Sequence, residues 1–240
     1  VSDWTELESE TFIDGAHLFV PSRDELHETI VRAMDLGDRR AFVIELSCGD
    51  GELARRVLMR HGATHYLGLD RSERMREHAK ERLSLFGARA VVESFDIHNF
   101  ADMSLPSRPD ALISSLAVHH LDGEGKKRLF RKAFAELEVG GRLVICDVVL
   151  PAGAVATAIA AQQWNCAVAR NSLDAFGDLR GLERFHELEW NMYSGTPVGD
   201  EIDKPSTLLE QLNWVQESGF KDVDVIWHYA GHAVFCATKR

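Results

Sequence analysis

Residues 43–54, VIELSCGDGELA, decide the fold. The β-branched pair Val43 and Ile44 reads as a strand end, Gly49 and Gly51 as a tight turn, and Glu52 onward as a helix start. Nucleotide-binding sheets use this layout, because the helix dipole and the free N–H groups of its first turn favour negative charge. The turn is nevertheless acidic: Glu45 precedes it, and Asp50 and Glu52 stand at the mouth of the helix, where a pyrophosphate would meet like charge.

Outward from that turn the rhythm is strand, helix, strand. Upstream, residues 21–34 carry Ser22 with Glu25 three positions on, a capping-box pattern, followed by Leu26, Ile30 and Met34 at helical spacing. Downstream come a helix over 52–61, the strand HYLGLD, a helix over 72–86, and the strands AVVESFD and DALISSLA. A helix through Leu129, Phe130, Ala133, Phe134 and Leu137 ends at Gly140 and Gly141, before RLVICDVV. Residues 151–205 break the alternation with helices rich in Ala, Leu and Trp and a turn-like SGTPVGD. A capping box at Thr207 and Glu210 opens a last helix, and two strands around Gly231 form a closing hairpin. The expected fold is α/β: a Rossmann-like, seven-stranded, mostly parallel, doubly wound sheet with a C-terminal antiparallel hairpin and a helical insertion. The expected organisation is a single domain over 1–240, with an N-terminal helical cover over 1–35 and a lid or substrate insertion over 151–205.

The composition is that of an ordinary globular protein, with 45% hydrophobic and 27% charged residues. The 27 Lys and Arg against 38 Asp and Glu leave a net charge of −11, which disfavours nucleic acid or an anionic membrane as partner and favours a small molecule. Cys48, Cys146, Cys166 and Cys236 form no CxxC pair, so neither a disulfide framework nor a zinc site is expected, and a cytoplasmic location fits. No signal peptide or membrane helix is expected from the apolar runs. Oligomeric state leaves no trace in the sequence.

In an open parallel sheet the ligand lies beyond the carboxyl ends of the strands. Those ends carry Glu45 and the Gly49/Gly51 turn, Asp70, Asp96, then Ser114 and Ser115 with His119 and His120 just beyond. Asp70 lies 19 residues after Gly51, a distance suited to a carboxylate that accepts ribose hydroxyls. A nicotinamide cofactor fits that much. A dinucleotide fingerprint, however, reads GxGxxG, whereas the turn here has Ser47, Gly49 and Gly51 with two acids at the helix mouth. S-adenosylmethionine offers an adenosine for Asp70 and Asp96 but ends in a sulfonium and an amino acid, which suits an acidic turn.

In this order and spacing, ELSCGDG, GLDRSERMREHAKERL, FDI, DALISSLAVHHL, LEVGGRLVICDVV and the C-terminal helix and hairpin resemble class I S-adenosylmethionine-dependent methyltransferases of the small-molecule type. The resemblance implies S-adenosylmethionine as cofactor. It places Ser47, Gly49 and Gly51 in the glycine turn that approaches it, Glu45 near its amino group, Asp70 with Arg71 at the ribose, Asp96 and Ile97 at the adenine, and Ser115 and Leu116 at the methionine. Ser47 departs from the family's first glycine, although a Cβ resists positive φ. Val139 stands where proline is frequent, which concerns only a helix end.

Plainer readings exist for several of these residues. Asp50 reads equally as a solvated loop carboxylate, Asp96 as a turn residue, and Trp164, Trp190 and Tyr193 as helix anchors rather than pocket walls. His119 and His120 are adjacent, and adjacent side chains rarely chelate one ion, so no metal ligand set is expected. If a hydroxyl or ammonium acceptor needs a general base, His119 is the first candidate and Glu189 the reserve. The expected function is methyl transfer to an N or O nucleophile of a small molecule. A non-catalytic module binding S-adenosylmethionine or S-adenosylhomocysteine, and a nicotinamide oxidoreductase, are the alternatives.

Overall fold

A computed structural model describes residues 4–195, 198, 199 and 201–240. The expected turn at SGTPVGD lies partly outside them, at Thr196, Pro197 and Asp200. The chain begins with helices α1 (Glu6–Phe19) and α2 (Arg23–Ala33), then alternates β1 (Phe42–Leu46), α3 (Glu52–Arg60), β2 (His65–Asp70), α4 (Glu73–Leu83) and β3 (Ala90–Ser94). It continues through β4 (Ala111–Ser115), α5 (Gly123–Glu136) and β5 (Arg142–Val148). The insertion holds α6 (Ala154–Phe176) and α7 (Arg180–Glu187), and α8 (Leu208–Glu217), β6 (Lys221–Tyr229) and β7 (His232–Thr238) close the fold.

The seven strands form one sheet in the order β3-β2-β1-β4-β5-β7-β6. Neighbours from β3 to β5 pair in parallel, and β7 runs antiparallel between β5 and β6. The strand order reverses between β1 and β4, so their carboxyl ends flank the crevice where such sheets bind ligands. Both faces are covered, which explains why β1 and β4 are apolar at successive positions rather than alternating. Val43, Leu53, Val57 and Ile113 pack with α2, α3 and α4 residues on one face; Ile44, Leu112, Phe130 and Val215 pack with α5 and α8 on the other. A third cluster, including Phe19, Trp164, Phe185 and Tyr193, joins α1 to the insertion.

Local chemistry sets most element ends. Thr207 and Glu210 form the expected capping box of α8. The expected box at Ser22 is not made: Ser22 sits in the left-handed region at φ 48° and its side chain caps nothing. A capping serine needs extended backbone, and the tight turn joining α1 to α2 denies it. Instead Thr5 and Glu8 box the start of α1, a helix that the acidic sequence partly masks. No helix among the described residues is long and apolar enough to cross a membrane.

Candidate active site

The glycine turn is built from backbone that most residues avoid. Ser47 has φ 54° and Gly49 φ 53°, so the serine in place of the first glycine adopts the left-handed conformation all the same. At the corresponding end of β4, Leu116 has φ 57°. Non-glycine residues in this region cost about 1–3 kcal/mol each and gather where strain serves a ligand site. Gly51, at φ 78°, serves packing instead, because a Cβ there would lie 3.0 Å from the Cα of Ala79; its bareness lets α3 approach α4.

These strand ends open into a cavity of about 1050 Å³. All the expected site residues line it except Glu45 and Gly51: Ser47, Gly49, Asp70, Arg71, Asp96, Ile97, Ser115 and Leu116 form one end, His119 lies beyond them, and the exposed Glu189 contributes from the insertion. Glu45 is buried outside the lining, 2% exposed, and accepts a 2.7 Å hydrogen bond from the Tyr66 hydroxyl. Burial drives its carboxyl up to about 8; the Tyr66 bond opposes this, and the negative Asp50 and Asp70 add to it.

Asp70 is the hinge of the turn. Its Oδ2 accepts from the Gly49 N–H at 2.8 Å and its Oδ1 from the Ser72 N–H at 2.9 Å. Burial raises its pKa and those two N–H donors resist the rise. Asp96 caps the following turn by accepting the His98 N–H at 2.9 Å, and pairs with the His98 ring at 2.8 Å and Arg71 at 3.6 Å. It therefore serves the turn and also lines the cavity.

The electrostatic reading of Asp50 and Glu52 requires correction. Neither lines the cavity. Asp50 faces Arg23 at 3.5 Å and Arg82 at 2.7 Å, while Glu52 faces Arg55 at 2.8 Å, Arg56 at 2.9 Å and Arg82 at 3.4 Å. The acids are neutralised on the far side of the turn, a cross-element pairing with Arg23 and Arg82 that spacing alone conceals. The repulsion of a pyrophosphate by this pair thus carries no weight, and the acidity facing the cavity from the first two strands is that of Asp70.

At the other end of the cavity stands an aromatic wall at which the sequence only hints. Trp190 stacks with Phe12 at 6.4 Å, meets Trp4 edge-on at 6.3 Å and tilts against Phe19 at 5.4 Å. Trp164 lines the cavity and also anchors α1, donating its indole N–H to the Phe19 carbonyl at 2.7 Å. Tyr193 is an anchor: its hydroxyl donates toward the carbonyls of Val149 at 3.0 Å and Gly231 at 2.7 Å. The N-terminal cover is tied down over the site by Glu6, whose carboxylate accepts from the Ser72 hydroxyl and the Glu73 and Arg74 N–H groups at 2.8–3.2 Å, and by Glu10, which pairs with Arg74 at 2.5 Å.

His119 stands between the two ends. Its Nδ1 meets Asp147 Oδ1 at 2.5 Å, and its Nε2 lies 3.4 Å from Asp203 Oδ1. Burial lowers its pKa, but the two carboxylates more than reverse this and lift it to about 10. Both ring nitrogens face carboxylates, so neither is turned freely toward an acceptor as a simple general base would be. Asp147 and Asp203 are distant in sequence, which is why the histidine alone suggests a base. His232, which no sequence pattern singles out, lines the same cavity and is held neutral by burial, with a pKa of about 4.

The strand order and the cavity at the strand ends define a Rossmann-like α/β fold, and the comparisons with known proteins say what it is similar to. Residues 43–141 match the family model described as a methyltransferase domain. An uncharacterized methyltransferase of Bacillus cytotoxicus is 34% identical over 109 residues, 45% of this chain and 47% of that protein. One from a Geobacillus species is 34% identical over 108 residues, with the same coverage. The chain thus spans about half the length of the curated relatives it matches. Among solved structures, an O-methyltransferase family protein from Burkholderia thailandensis aligns with a TM-score of 0.69 at 15% identity, over 97% of this chain and 59% of that one. Haemonchus contortus phosphoethanolamine N-methyltransferase 2, in complex with S-adenosyl-L-methionine, aligns with a TM-score of 0.65 at 15% identity, over 98% and 57%. Identities this low speak for the fold.

Proposed function

We propose that the protein transfers the methyl group of S-adenosylmethionine to an oxygen or nitrogen of a small, partly aromatic metabolite. One observation carries this reading: a single cavity runs from the strand-end residues of the adenosine half to the Trp4, Phe12 and Trp190 wall. Pockets for one drug-sized ligand occupy about 300–1,000 Å³. A volume of about 1050 Å³ has room for an acceptor beside the cofactor, which favours an enzyme over a binding module.

In this reading Asp70 accepts the ribose hydroxyls with its remaining lone pairs, Asp96 accepts the adenine amine and Ile97 covers the ring. Arg71 braces Asp96, Gly49 lets the backbone approach, and Ser47, Ser115 and Leu116 surround the methionine. Glu45 supports the turn from behind through its bond with Tyr66 rather than touching the cofactor. The 1–35 cover and the 151–205 insertion act as the lid that keeps water from the sulfonium.

Methyl transfer from a sulfonium is an in-line displacement on an activated donor, so alignment and exclusion of water supply most of the catalysis. A lone pair of the acceptor forms the new bond to the methyl carbon while the carbon–sulfur bond breaks, leaving its electron pair on a neutral thioether. His119 lies on the cavity wall beyond the methionine end, its ring fixed by Asp147. Glu189 remains available as a carboxylate on the wall. The test is release of S-adenosylhomocysteine from S-adenosylmethionine with a panel of phenols and aromatic amines. Turnover with at least one of them supports the reading, and cofactor binding without turnover on any returns it to the binding module.

A further inference from the structure

Among the described residues, one cluster of three metal-ligating side chains exists: His119, His120 and Asp203. The sequence alone sets the two histidines aside, because neighbours in a chain seldom share an ion. The fold changes this by bringing Asp203 from the insertion against both. We propose that His119, His120 and Asp203 bind one zinc ion at the acceptor end of the cavity, with an open position facing the acceptor; the role, though not the site, rests on the methyl-transfer reading above.

Two of the three ligand-atom separations match those of a tetrahedral zinc site. Ligand atoms about 2.0–2.1 Å from a tetrahedral zinc lie about 3.3–3.4 Å from one another. Asp203 Oδ1 lies 3.4 Å from His119 Nε2 and 3.2 Å from His120 Nδ1, and all three ligand atoms fall within 4.8 Å of each other. Two imidazoles and a carboxylate, with a fourth position left to solvent or substrate, form the donor set of a catalytic rather than a structural zinc. All three residues line the cavity, so the fourth position opens into it.

The surroundings are as arranged as the ligands. A histidine that binds a metal through one nitrogen usually gives the other to a carboxylate, which fixes the ring. His119 does so through Nδ1 to Asp147, a fully buried residue whose same oxygen also accepts the Val148 N–H at 2.8 Å. Asp203 is held by its neighbours: the Lys204 N–H donates to the His119 carbonyl at 2.7 Å, and the ammonium of the buried Lys126 donates to the Lys204 carbonyl at 2.5 Å and the Ser206 hydroxyl at 2.8 Å. The Trp4 ring, 5.6 Å from that of His120, screens the cluster from the N-terminal side. An ion here would lower the pKa of an acceptor hydroxyl so that its proton passes to solvent, leaving an oxygen lone pair free to attack the methyl carbon.

The experiment uses untagged protein dialysed against micromolar zinc, then freed of loose metal by gel filtration and measured for zinc content by mass spectrometry. Cobalt substitution reports four-coordinate geometry through visible absorption. One zinc per chain is expected, with affinity falling at least tenfold in Asp203→Asn, His120→Gln and Asp147→Asn. Circular dichroism and S-adenosylhomocysteine titration on the same samples check fold and cofactor site. Wild-type protein that binds S-adenosylhomocysteine but retains no zinc overturns the metal site alone, as does full zinc retention in both ligand variants. Stoichiometric zinc without S-adenosylhomocysteine binding leaves the metal site standing and removes the methyl-transfer role.

Discussion

Removing the Glu6 carboxylate should loosen the N-terminal cover without unfolding the sheet. Glu6 reaches from α1 to the start of α4, where it accepts from the Ser72 hydroxyl at 2.8 Å and from the Glu73 and Arg74 N–H groups at 3.0 and 3.2 Å. Helix α4 keeps its own cap, because the Ser72 hydroxyl also accepts from the Met75 N–H. The loss in Glu6→Ala therefore falls on docking. A capping hydrogen bond contributes about 1 kcal/mol and a carboxylate at a helix N-terminus about 0.3–1 kcal/mol. Losing both makes α1 open about 10–30 times more often. Hydrogen exchange followed by mass spectrometry should show residues 6–19 exchanging faster by that factor, with β1 and β4 unchanged. The pH dependence has a definite sign. Burial raises the Glu6 pKa, but the Ser72, Glu73 and Arg74 donors outweigh it and hold it below 4.5. Its contribution is thus complete above pH 4.5 and fades as pH falls through the lowered value, so the wild type should approach Glu6→Gln only in acid. Equal protection of α1 in wild type and variant at neutral pH would mean that these bonds do not hold the cover.

Glu45 should make stability fall with rising pH. Its folded pKa of about 8 lies above the ordinary 4.5, so the native state holds a proton that the unfolded chain has released between those values. Thermal melts from pH 5 to 9 should lose several kcal/mol of stability in the wild type and markedly less in Glu45→Gln; parallel curves would count against a buried, protonated Glu45. Gly51→Ala combines φ 78° with a Cβ 3.0 Å from Ala79, costing about 2 kcal/mol and about 4–8 °C in Tm, while the affinity of the folded protein for S-adenosylhomocysteine stays within about twofold. A large loss of affinity at unchanged Tm would return Gly51 to the cofactor site. Trp190→Ala removes the centre of the aromatic wall and should raise KM for the acceptor at least tenfold with a smaller change in kcat. An unchanged KM would place the acceptor elsewhere.

The order of elements is legible because hydrophobic runs, glycine turns and caps are local. VIELSCGDGELA announces β1, the turn and α3, and Thr207 with Glu210 announces α8. Asp70, Asp96 and Ser115 are legible because strand ends in a parallel sheet share one edge. What stays hidden is whatever needs a partner from afar. Ser22 looks like a cap until the α1 to α2 turn twists it. Asp50 and Glu52 look like ligand-facing charge until Arg23 and Arg82 arrive to neutralise them. His119 looks like a free base until Asp147 and Asp203 close on it, and no spacing rule links residues 119, 147 and 203. Phe12 and Trp4 join Trp190 only because α1 folds back over the insertion.

In the proposed function the crevice between β1 and β4 seats adenosine joined to a cationic amino-acid tail, with Asp70 as its anchor. Isothermal titration of the wild type and Asp70→Asn with S-adenosylhomocysteine and with NAD decides whether it does. Micromolar binding of S-adenosylhomocysteine at one site per chain is expected, with a roughly 10- to 100-fold weaker affinity in Asp70→Asn and no comparable heat from NAD. Micromolar binding of NAD without S-adenosylhomocysteine, or binding indifferent to Asp70, would contradict it.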